Sequence, residues 1–390
     1  MSPDTSVSHF HKLLSSRTDE MLRLIETLVN IESGSYDKAG VDRAGAALAQ
    51  ELRKRGFEVE RQPMSQCGDR YVATRLLGGE GRLLILGHID TVWPEGTLAD
   101  WPFAIRDGQA TGPGVGDMKG GLVIAIFALQ TLFESNFDGL ESIRFILVPD
   151  EELGSPHSRE AIEQEVQDAD WVLVLEPGRP GGGVVTARGA LGAFFVHAHG
   201  QDAHCAVNYH KGASAVRELA QKVAALEALS EPDAGSVVNI GVFRGGVAKQ
   251  VIPGEARMHI DLRARTDERA HALRDSIERI ANDVVDKRVR VEVTGCMTRP
   301  AFTALNNRPL YALAHSVAIE LGIGIFEVPP TGGGSDANFA GALGVPTLDG
   351  LGPVTYDICT PIEKIDISSL AERAAMFCGI VQRLPNLKDS

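Results

Sequence analysis

The chain has 390 residues, of which 44% are hydrophobic, so it is long enough to bury one large core or two smaller ones. Its 52 acidic residues outnumber its 38 basic residues and give a net charge of −14, which argues against a nucleic-acid partner. We expect no signal peptide and no membrane span, because the N-terminus lacks a basic start and the apolar runs are short. The five cysteines are scattered and odd in number, which is typical of a reduced, cytoplasmic protein.

The first part of the chain predicts an α/β fold. A helical pattern extends from Thr18 to Arg55. The runs "RLLILGHIDTV", "SIRFILV" and "DWVLVLE" are apolar and of strand length, and "GGLVIAIFALQTLF" predicts a buried helix. Short apolar strands separated by helices indicate a mostly parallel sheet that is covered by helices on both faces.

The pattern changes near Gly181. The order strand, helix, strand, strand, helix, strand then predicts a compact α+β unit. Helix and strand alternate again after "TRPAF", which runs from Thr298 to Phe302. We therefore predict one α/β domain, formed by residues 1–186 and 299–390, and an inserted α+β domain at 187–298.

Side chains suited to metal binding follow several of the predicted strands and turns. They are His88 in "GHID", Asp117 in "GVGDMKGG", Glu151 and Glu152 in "PDEELGS", and Glu176 in "VLEPG". In open α/β sheets, functional groups gather at the carboxyl ends of the strands. The three adjacent carboxylates at 150–152 repel one another and need a positive partner. We therefore predict that one or two divalent metal ions bind here, with Asp90 orienting the ring of His88.

Each of these motifs has an ordinary explanation when taken alone. A single histidine at a strand end is usually a core or surface residue, and adjacent glutamates are usually a solvated cap. A lone glycine-rich turn is weak evidence of any site. The metal site is the better interpretation because four such coincidences would have to occur in the right order.

A larger set of motifs resembles a known family. The motifs are "GHIDTVWPEG", "GPGVGDMKGG", "DEELGS", "LEPG", "GQDAHCAVNYHKGASA", "GGVAKQVIPGEARMHIDLRAR" and "TGGGSDANFAGALGVPTLDGLGP". Together they resemble the co-catalytic di-zinc amidohydrolases, which include glutamate carboxypeptidase, acetylornithine deacetylase, succinyl-diaminopimelate desuccinylase and aminoacylase. The glutamate carboxypeptidase branch is the most similar, through "TRPAF" and "HIDTVW". The resemblance implies a zinc-exopeptidase type of fold, a homodimer, and a lid or dimerisation role for the inserted domain.

The resemblance also implies roles for the metal-binding side chains. His88 and Glu176 would bind one zinc ion, Glu152 the other, and Asp117 would bridge both. Glu151 would be the general acid/base that activates a metal-bound water. Two Zn²⁺ per chain are therefore expected, with Mn²⁺ or Co²⁺ as alternatives.

One ligand departs from the family pattern. Cys359 in "TYDICTPIEKIDI" stands where the family has the last histidine ligand of the second zinc. Cysteine is a competent zinc ligand as the thiolate, and Asp357 is a second candidate from the same turn. Three outcomes stay open: Cys359 binds the second metal, the second site is weak or empty, or the chain has lost hydrolysis.

Four further residues match substrate-binding positions of the family. His204 would stabilise the oxyanion in the active site of the other subunit, although a lone histidine of this kind is usually a polar loop residue. Arg299 would bind a substrate carboxylate. Gln250 replaces an asparagine of the family, and Ser335 lies in a run that is otherwise a flexible turn.

The expected function is a metal-dependent hydrolase that cleaves an amide bond next to a free carboxylate of a small-molecule substrate, as glutamate carboxypeptidase does. An N-acyl-amino-acid deacylase is the alternative within the family. A catalytically silent relative with a binding role is the alternative from another class.

Overall fold

The computed structural model describes residues 5–330 and 332–387, and the chain divides into two compact units. The first unit comprises the chain up to Ala187, the segment Thr303–Pro329 and the chain from Ser335 onward. The second unit comprises Arg188–Phe302 and Pro330–Gly334. The sequence-based division places the inserted domain at 187–298.

The described residues form α-helices in both units. They are α1 (Val7–Ser15), α2 (Thr18–Val29), α3 (Lys38–Lys54), α4 (Thr97–Asp100), α5 (Gly121–Glu134), α6 (Arg159–Gln167), α7 (Ala215–Glu227), α8 (Asp267–Asn282), α9 (Arg308–Leu321), α10 (Ala337–Ala342) and α11 (Ser368–Leu387). Of these described helices, α7 and α8 belong to the second unit and the others to the first.

The strands of the described residues are numbered in chain order. They are β1 (Glu58–Gln62), β2 (Arg70–Leu76), β3 (Arg82–His88), β4 (Ala104–Arg106), β5 (Gln109–Thr111), β6 (Ser142–Val148), β7 (Trp171–Val174), β8 (Gly183–Val184), β9 (Ala190–His199), β10 (Ala203–His204), β11 (Val237–Gly245), β12 (Val251–Ile252), β13 (Glu255–Ala264), β14 (Arg290–Arg299), β15 (Phe326–Glu327), β16 (Thr347–Leu348), β17 (Thr355–Tyr356) and β18 (Lys364–Asp366).

The first unit is built on a six-stranded sheet with the strand order β1-β2-β6-β3-β7-β16. The strands β6, β3, β7 and β16 are parallel, whereas β1 and β2 pair antiparallel at one edge. Almost every residue of β3, β6 and β7 is buried, so both faces of the sheet are covered. This confirms the predicted fold class, a mostly parallel sheet covered by helices.

The helix α5 lies in the core of the first unit, and nearly all its residues are buried. With the preceding turn it forms a 20-residue segment, Val115–Glu134, that is apolar and long enough to cross a membrane. Of the most apolar 18-residue stretch in this segment, 89% is buried inside the protein, as in a core helix. Gly121 allows the start of α5 to lie close to the backbone of Leu175, because a Cβ at position 121 would lie 2.1 Å from the carbonyl oxygen of Leu175. The turn that carries Asp117 is thereby held beside the carboxyl end of β7.

The second unit is an antiparallel sheet with the order β11-β13-β9-β14, and α7 and α8 pack on one face. Burial alternates along β9 and β13, as expected for a sheet with one covered face. Phe194 and Val196 belong to the core of this unit, whereas Phe195 and His197 are exposed on the opposite face.

Asp69 is a buried carboxylate that stabilises the first unit. Its oxygens accept from Lys38 Nζ at 2.5 Å, Arg61 Nε at 2.6 Å and the Met64 N–H at 3.0 Å. Burial alone would raise the pKa of Asp69, but these donors lower it to about 2. Because this folded pKa lies below the ordinary value of 3.8, the contribution to stability is present above pH 3.8 and is lost as the pH falls through 2.

We therefore expect Asp69→Asn to lower the free energy of unfolding by about 2 kcal/mol at pH 7 and by less at pH 3. Urea unfolding at the two pH values measures the difference. Asp168→Asn is the control, because Asp168 is exposed and pairs loosely with Arg82 at 3.8 Å. A loss for Asp69→Asn that does not depend on pH would contradict this role.

Candidate metal centre

His88 ends β3 with its side chain almost fully buried. Its Nδ1 lies 2.9 Å from the backbone carbonyl of Asp90 and 3.4 Å from Asp90 Oδ1, while Nε2 lies 3.1 Å from Asp117 Oδ1. Burial alone would lower the pKa of His88, but Asp117 and Asp90 raise it well above its ordinary value. The surroundings of Nε2 therefore favour a positive charge.

Asp117 lies in an irregular helical turn, Val115–Gly120, directly before α5. Burial would raise the pKa of Asp117, but the hydrogen bond with His88 lowers it. Its second oxygen, Oδ2, lies 3.4 Å from Sγ of Cys359. The Asp117 carboxylate therefore contacts two potential metal ligands that are far apart in sequence.

Two groups of potential ligands share Asp117. One group is His88, Asp117 and Glu176, and the other is Asp117, Glu152 and Cys359; within each group the ligand atoms lie within 4.8 Å of one another. A carboxylate common to both groups would allow two metal ions to share one ligand. The structure thus brings together all five residues that the sequence analysis assigned to metal binding.

Asp90 organises the loop that carries Glu151 and Glu152. Its Oδ1 accepts the N–H of Glu151 at 3.1 Å, its Oδ2 accepts the N–H of Glu152 at 3.2 Å, and Ser35 Oγ donates to Oδ2 at 2.7 Å. The sequence analysis expected Asp90 to orient His88, yet the nearer acceptor for the ring is the backbone carbonyl of Asp90. The Asp90 side chain mainly fixes the helical turn Glu151–Leu153 that follows β6.

Asp150 has a separate task from its two neighbours. It is fully buried and accepts the N–H of His157 at 2.8 Å and the hydroxyl of Ser158 at 2.5 Å. Burial raises the pKa of Asp150. These contacts join the end of β6 to the start of α6, so Asp150 has surroundings different from those of Glu152, which belongs to a ligand group.

The remaining ligand candidates are held in a poorly solvated, acidic environment. Burial and then the Asp117 carboxylate raise the pKa of Glu152 to about 10, and the same causes raise the pKa of Glu176 well above its ordinary range. Loss of solvation and the carboxylates of Asp117 and Glu152 also raise the pKa of the Cys359 thiol. Imidazole, carboxylate and thiol donors crowded in this way fit zinc, whose positive charge would favour the ionised carboxylates and thiolate and the neutral imidazole.

Cys359 is presented by a tight turn. Asp357 and Cys359 both adopt left-handed backbone angles, with φ of 55° and 59°, which residues with a Cβ rarely adopt. Among the described residues, Asp357 belongs to neither ligand group. Cys359 is therefore the better placed of the two candidate ligands in this turn.

Glu363 was missed as a site residue by the sequence analysis. It is fully buried and accepts the N–H groups of Gly116 at 2.9 Å, Asp117 at 3.2 Å and Cys359 at 3.0 Å. Burial and the Asp117 charge raise the pKa of Glu363 to about 7. A single carboxylate thus ties together the two turns that carry Asp117 and Cys359. The signal in the sequence is a glutamate four residues after the ligand position, in "CTPIE".

Three of the predicted substrate-binding residues lie in the second unit. Nδ1 of His204 accepts the N–H groups of Ala206 and Val207 at 3.2 and 3.3 Å. Gln250 is exposed, and its backbone carbonyl accepts the N–H of Cys205. Arg299 ends β14 and is buried beside Gly334. Their roles towards substrate stay predictions.

Ser335, in the first unit, is fully buried. Its Oγ accepts the N–H of Ala337 at 3.1 Å, and its own N–H donates to Oδ1 of Asn338. These contacts stabilise the start of α10. The predicted contact of Ser335 with substrate stays a prediction.

A cavity of about 450 Å³ in the first unit borders the candidate metal centre. Its lining includes Glu152, Leu153, Tyr36, Val92 and Trp93. The aromatic and aliphatic side chains contribute apolar surface to this cavity, which suits an apolar part of a ligand.

Residues 84–383 match Peptidase family M20/M25/M40. The chain is 30% identical over 381 residues to carboxypeptidase G2 of Pseudomonas sp. (strain RS-16), covering 95% of this chain and 92% of that protein. It is 27% identical over 402 residues to succinyl-diaminopimelate desuccinylase of Pseudoalteromonas atlantica, covering 94% of this chain and 99% of that protein.

Solved structures share the fold. An M20 family metallo-carboxypeptidase from Sulfolobus solfataricus has a TM-score of 0.78 at 16% identity, covering 94% of this chain and 99% of that one. A dinuclear metal binding peptidase of the M20 family from Bacillus subtilis has a TM-score of 0.70 at 16% identity, covering 95% of this chain and 99% of that one. The chain belongs to Peptidase family M20/M25/M40.

Cys359 allows a direct test of the second ligand group. If its thiolate binds a metal ion, Cys359→Ser should lower the metal occupancy of the site formed with Asp117 and Glu152. Cys359→His should keep or raise that occupancy. The metal should also protect Cys359 from alkylation, because a bound thiolate is not free to react. Metal analysis and mass spectrometry of alkylated protein measure both effects. Unchanged metal content in Cys359→Ser would make this cysteine structural.

Proposed function

We propose that the protein is a zinc-dependent metallocarboxypeptidase of the glutamate carboxypeptidase type. It cleaves an amide bond next to a free carboxylate and releases the C-terminal amino acid of a small N-acyl substrate. The observation that carries the proposal is the pair of ligand groups sharing Asp117, with Glu151 next to a ligand on a loop that Asp90 holds in place.

In the proposed chemistry, the metal ions and the side chains around them have different roles. Zinc ions held by the two ligand groups would make a water molecule more acidic and would polarise the scissile carbonyl. Glu151 takes the proton of the attacking water and passes it to the leaving amine. Asp90 keeps Glu151 in position through its backbone N–H, while Glu363 holds the turns of Asp117 and Cys359 together.

His204 is assigned to oxyanion stabilisation, in a homodimer where it serves the site of the other subunit. The supporting observation concerns its ring nitrogens. Nδ1 accepts two backbone N–H groups, so the proton of the neutral ring is on Nε2. A fixed Nε2–H is a hydrogen-bond donor of the kind that stabilises the negative charge of a tetrahedral intermediate.

The proposal is tested by hydrolysis assays on protein loaded with Zn²⁺ and, in parallel, with Mn²⁺ or Co²⁺. N-acyl-glutamates should be cleaved, and the same compounds with an amidated α-carboxylate should be poor substrates. Broad tolerance of the released amino acid, with selectivity for the acyl group, would favour the deacylase alternative. No turnover by protein that carries two metal ions per chain would favour the catalytically silent alternative.

Arg299 is assigned to the substrate carboxylate, because a guanidinium binds a carboxylate through two parallel hydrogen bonds. We expect Arg299→Ala to lower kcat/KM for free-carboxylate substrates by about 10²-fold, and to change the slow hydrolysis of the matching amides much less. Arg299→Lys keeps the positive charge and loses the two parallel hydrogen bonds. Its kcat/KM for free-carboxylate substrates should therefore lie between those of the wild-type protein and Arg299→Ala. Equal losses for acids and amides would exclude Arg299 from carboxylate recognition.

A further inference from the structure

The second unit carries a separate group of metal-ligating side chains on one face of its sheet. His197 and His199 are two residues apart on β9, so their side chains point to the same face. Glu255 of β13 pairs with His199, and Glu292 of β14 pairs with His197. The register of three neighbouring strands therefore places two imidazoles and two carboxylates together.

The contacts within this cluster are short. Nε2 of His197 lies 2.7 Å from Oε2 of Glu255, and Nδ1 of His199 lies 3.1 Å from Oε1 of Glu255. The two imidazole ring centroids are 4.0 Å apart. Ligand atoms of His197, His199 and Glu255 all lie within 4.8 Å of one another, close enough for the three side chains to converge on one metal ion.

We propose that His197, His199 and Glu255 bind a divalent transition-metal ion, and that Glu292 positions the ring of His199. Two histidines and one carboxylate form a ligand set that zinc accepts, with the fourth position open to water or another ligand. This site lies entirely within the second unit and is distinct in sequence from the ligand groups of the candidate metal centre.

Glu292 supplies the second observation that supports the site. Nε2 of His199 is buried and makes no hydrogen bond among the described residues, and its nearest carboxylate oxygen, Oε2 of Glu292, is 3.5 Å away. A metal ion on Nδ1 would place the ring proton on Nε2, facing Glu292. Metal-binding histidines usually donate their other ring N–H to such a carboxylate, which holds the ring in the binding orientation.

The site is accessible from a groove of about 500 Å³, which is lined by His197, Glu255, Arg244 and Arg257 among others. An ion can therefore reach it without opening the fold. Arg257 pairs with His197 across the strands, so its positive charge opposes cation binding. We accordingly expect weaker binding here than at the candidate metal centre, which has more carboxylate ligands and is more buried.

The test uses Zn²⁺ alone as the probe and counts the ions bound per chain by equilibrium dialysis. The double variant His197→Asn/His199→Asn should bind one Zn²⁺ fewer than the wild-type protein. His259→Asn is the matched control, since His259 lies on the same face, against Phe195, and should leave the count unchanged. Activity is not the readout, so failure of the proposed function leaves this test intact.

The two outcomes of the dialysis are distinct. An unchanged Zn²⁺ count in the double variant would overturn the site and leave the cluster as a set of ion pairs. Glu292→Gln should keep the count and weaken Zn²⁺ binding at this site by about 10-fold, the usual effect of removing a carboxylate behind a metal-binding histidine. An unaltered affinity in Glu292→Gln would overturn its positioning role.

Discussion

Replacing Glu151 with glutamine should lower turnover by about 10²–10⁴-fold while the metal content of the protein stays the same. Glutamine has nearly the shape of glutamate, so the turn Glu151–Leu153 and its hydrogen bonds to Asp90 are retained. The amide cannot accept a proton from the attacking water. Steady-state kinetics and metal analysis of the same preparation measure the two expectations together.

The adjacent residue provides the matched control. Glu152 belongs to a ligand group and Glu151 to neither among the described residues, although both lie in the same turn. Glu152→Gln should therefore lose metal as well as activity. If Glu151→Gln also loses metal, Glu151 is a ligand and the assignment of the general base is wrong.

Replacing Asp90 with asparagine should lower metal affinity and turnover by about 10–100-fold each. The Asp90 carboxylate accepts the N–H groups of Glu151 and Glu152 with different oxygens, and an asparagine side chain has only one oxygen to offer. Its NH₂ group would face a backbone N–H, so the loop that carries the general base and a ligand would shift. Metal titration and kcat/KM report on the two consequences.

Ser35→Ala is the control for Asp90→Asn. It removes one hydrogen bond to Asp90 and leaves the carboxylate and both backbone contacts in place. Only a small change in activity is expected. Comparable losses in Ser35→Ala and Asp90→Asn would show that general packing of this region, rather than the two backbone contacts, controls the site.

Local patterns were sufficient to predict the α/β class and the elements that carry the candidate metal ligands. The apolar runs of β3, β6 and β7 are short and continuous because both faces of each strand are buried. Ligands at the ends of parallel strands meet at one edge of the sheet, so His88, Glu152 and Glu176 were predicted together before any distance was known.

The family resemblance identified Cys359 as a candidate ligand, which the local sequence patterns could not do. No periodicity or spacing connects Cys359 with Asp117, which precedes it by 242 residues. The alignment of "TPIE" with the family motif singled out Cys359, and the structure brings its sulfur next to the Asp117 carboxylate. Its ligation of a metal stays a prediction that the serine and histidine variants test.

The sequence by itself determined the class of fold and the approximate position of the candidate metal centre, because burial and strand ends leave a local pattern. Only the tertiary structure revealed that Glu363 ties two turns together, that Asp90 holds the Glu151 loop, and that Glu255 and Glu292 flank His199. These contacts depend on strand register and on the close packing of distant segments. Strand register and the packing of distant segments are determined by how the whole chain fills its core. They cannot be predicted from a short stretch of sequence.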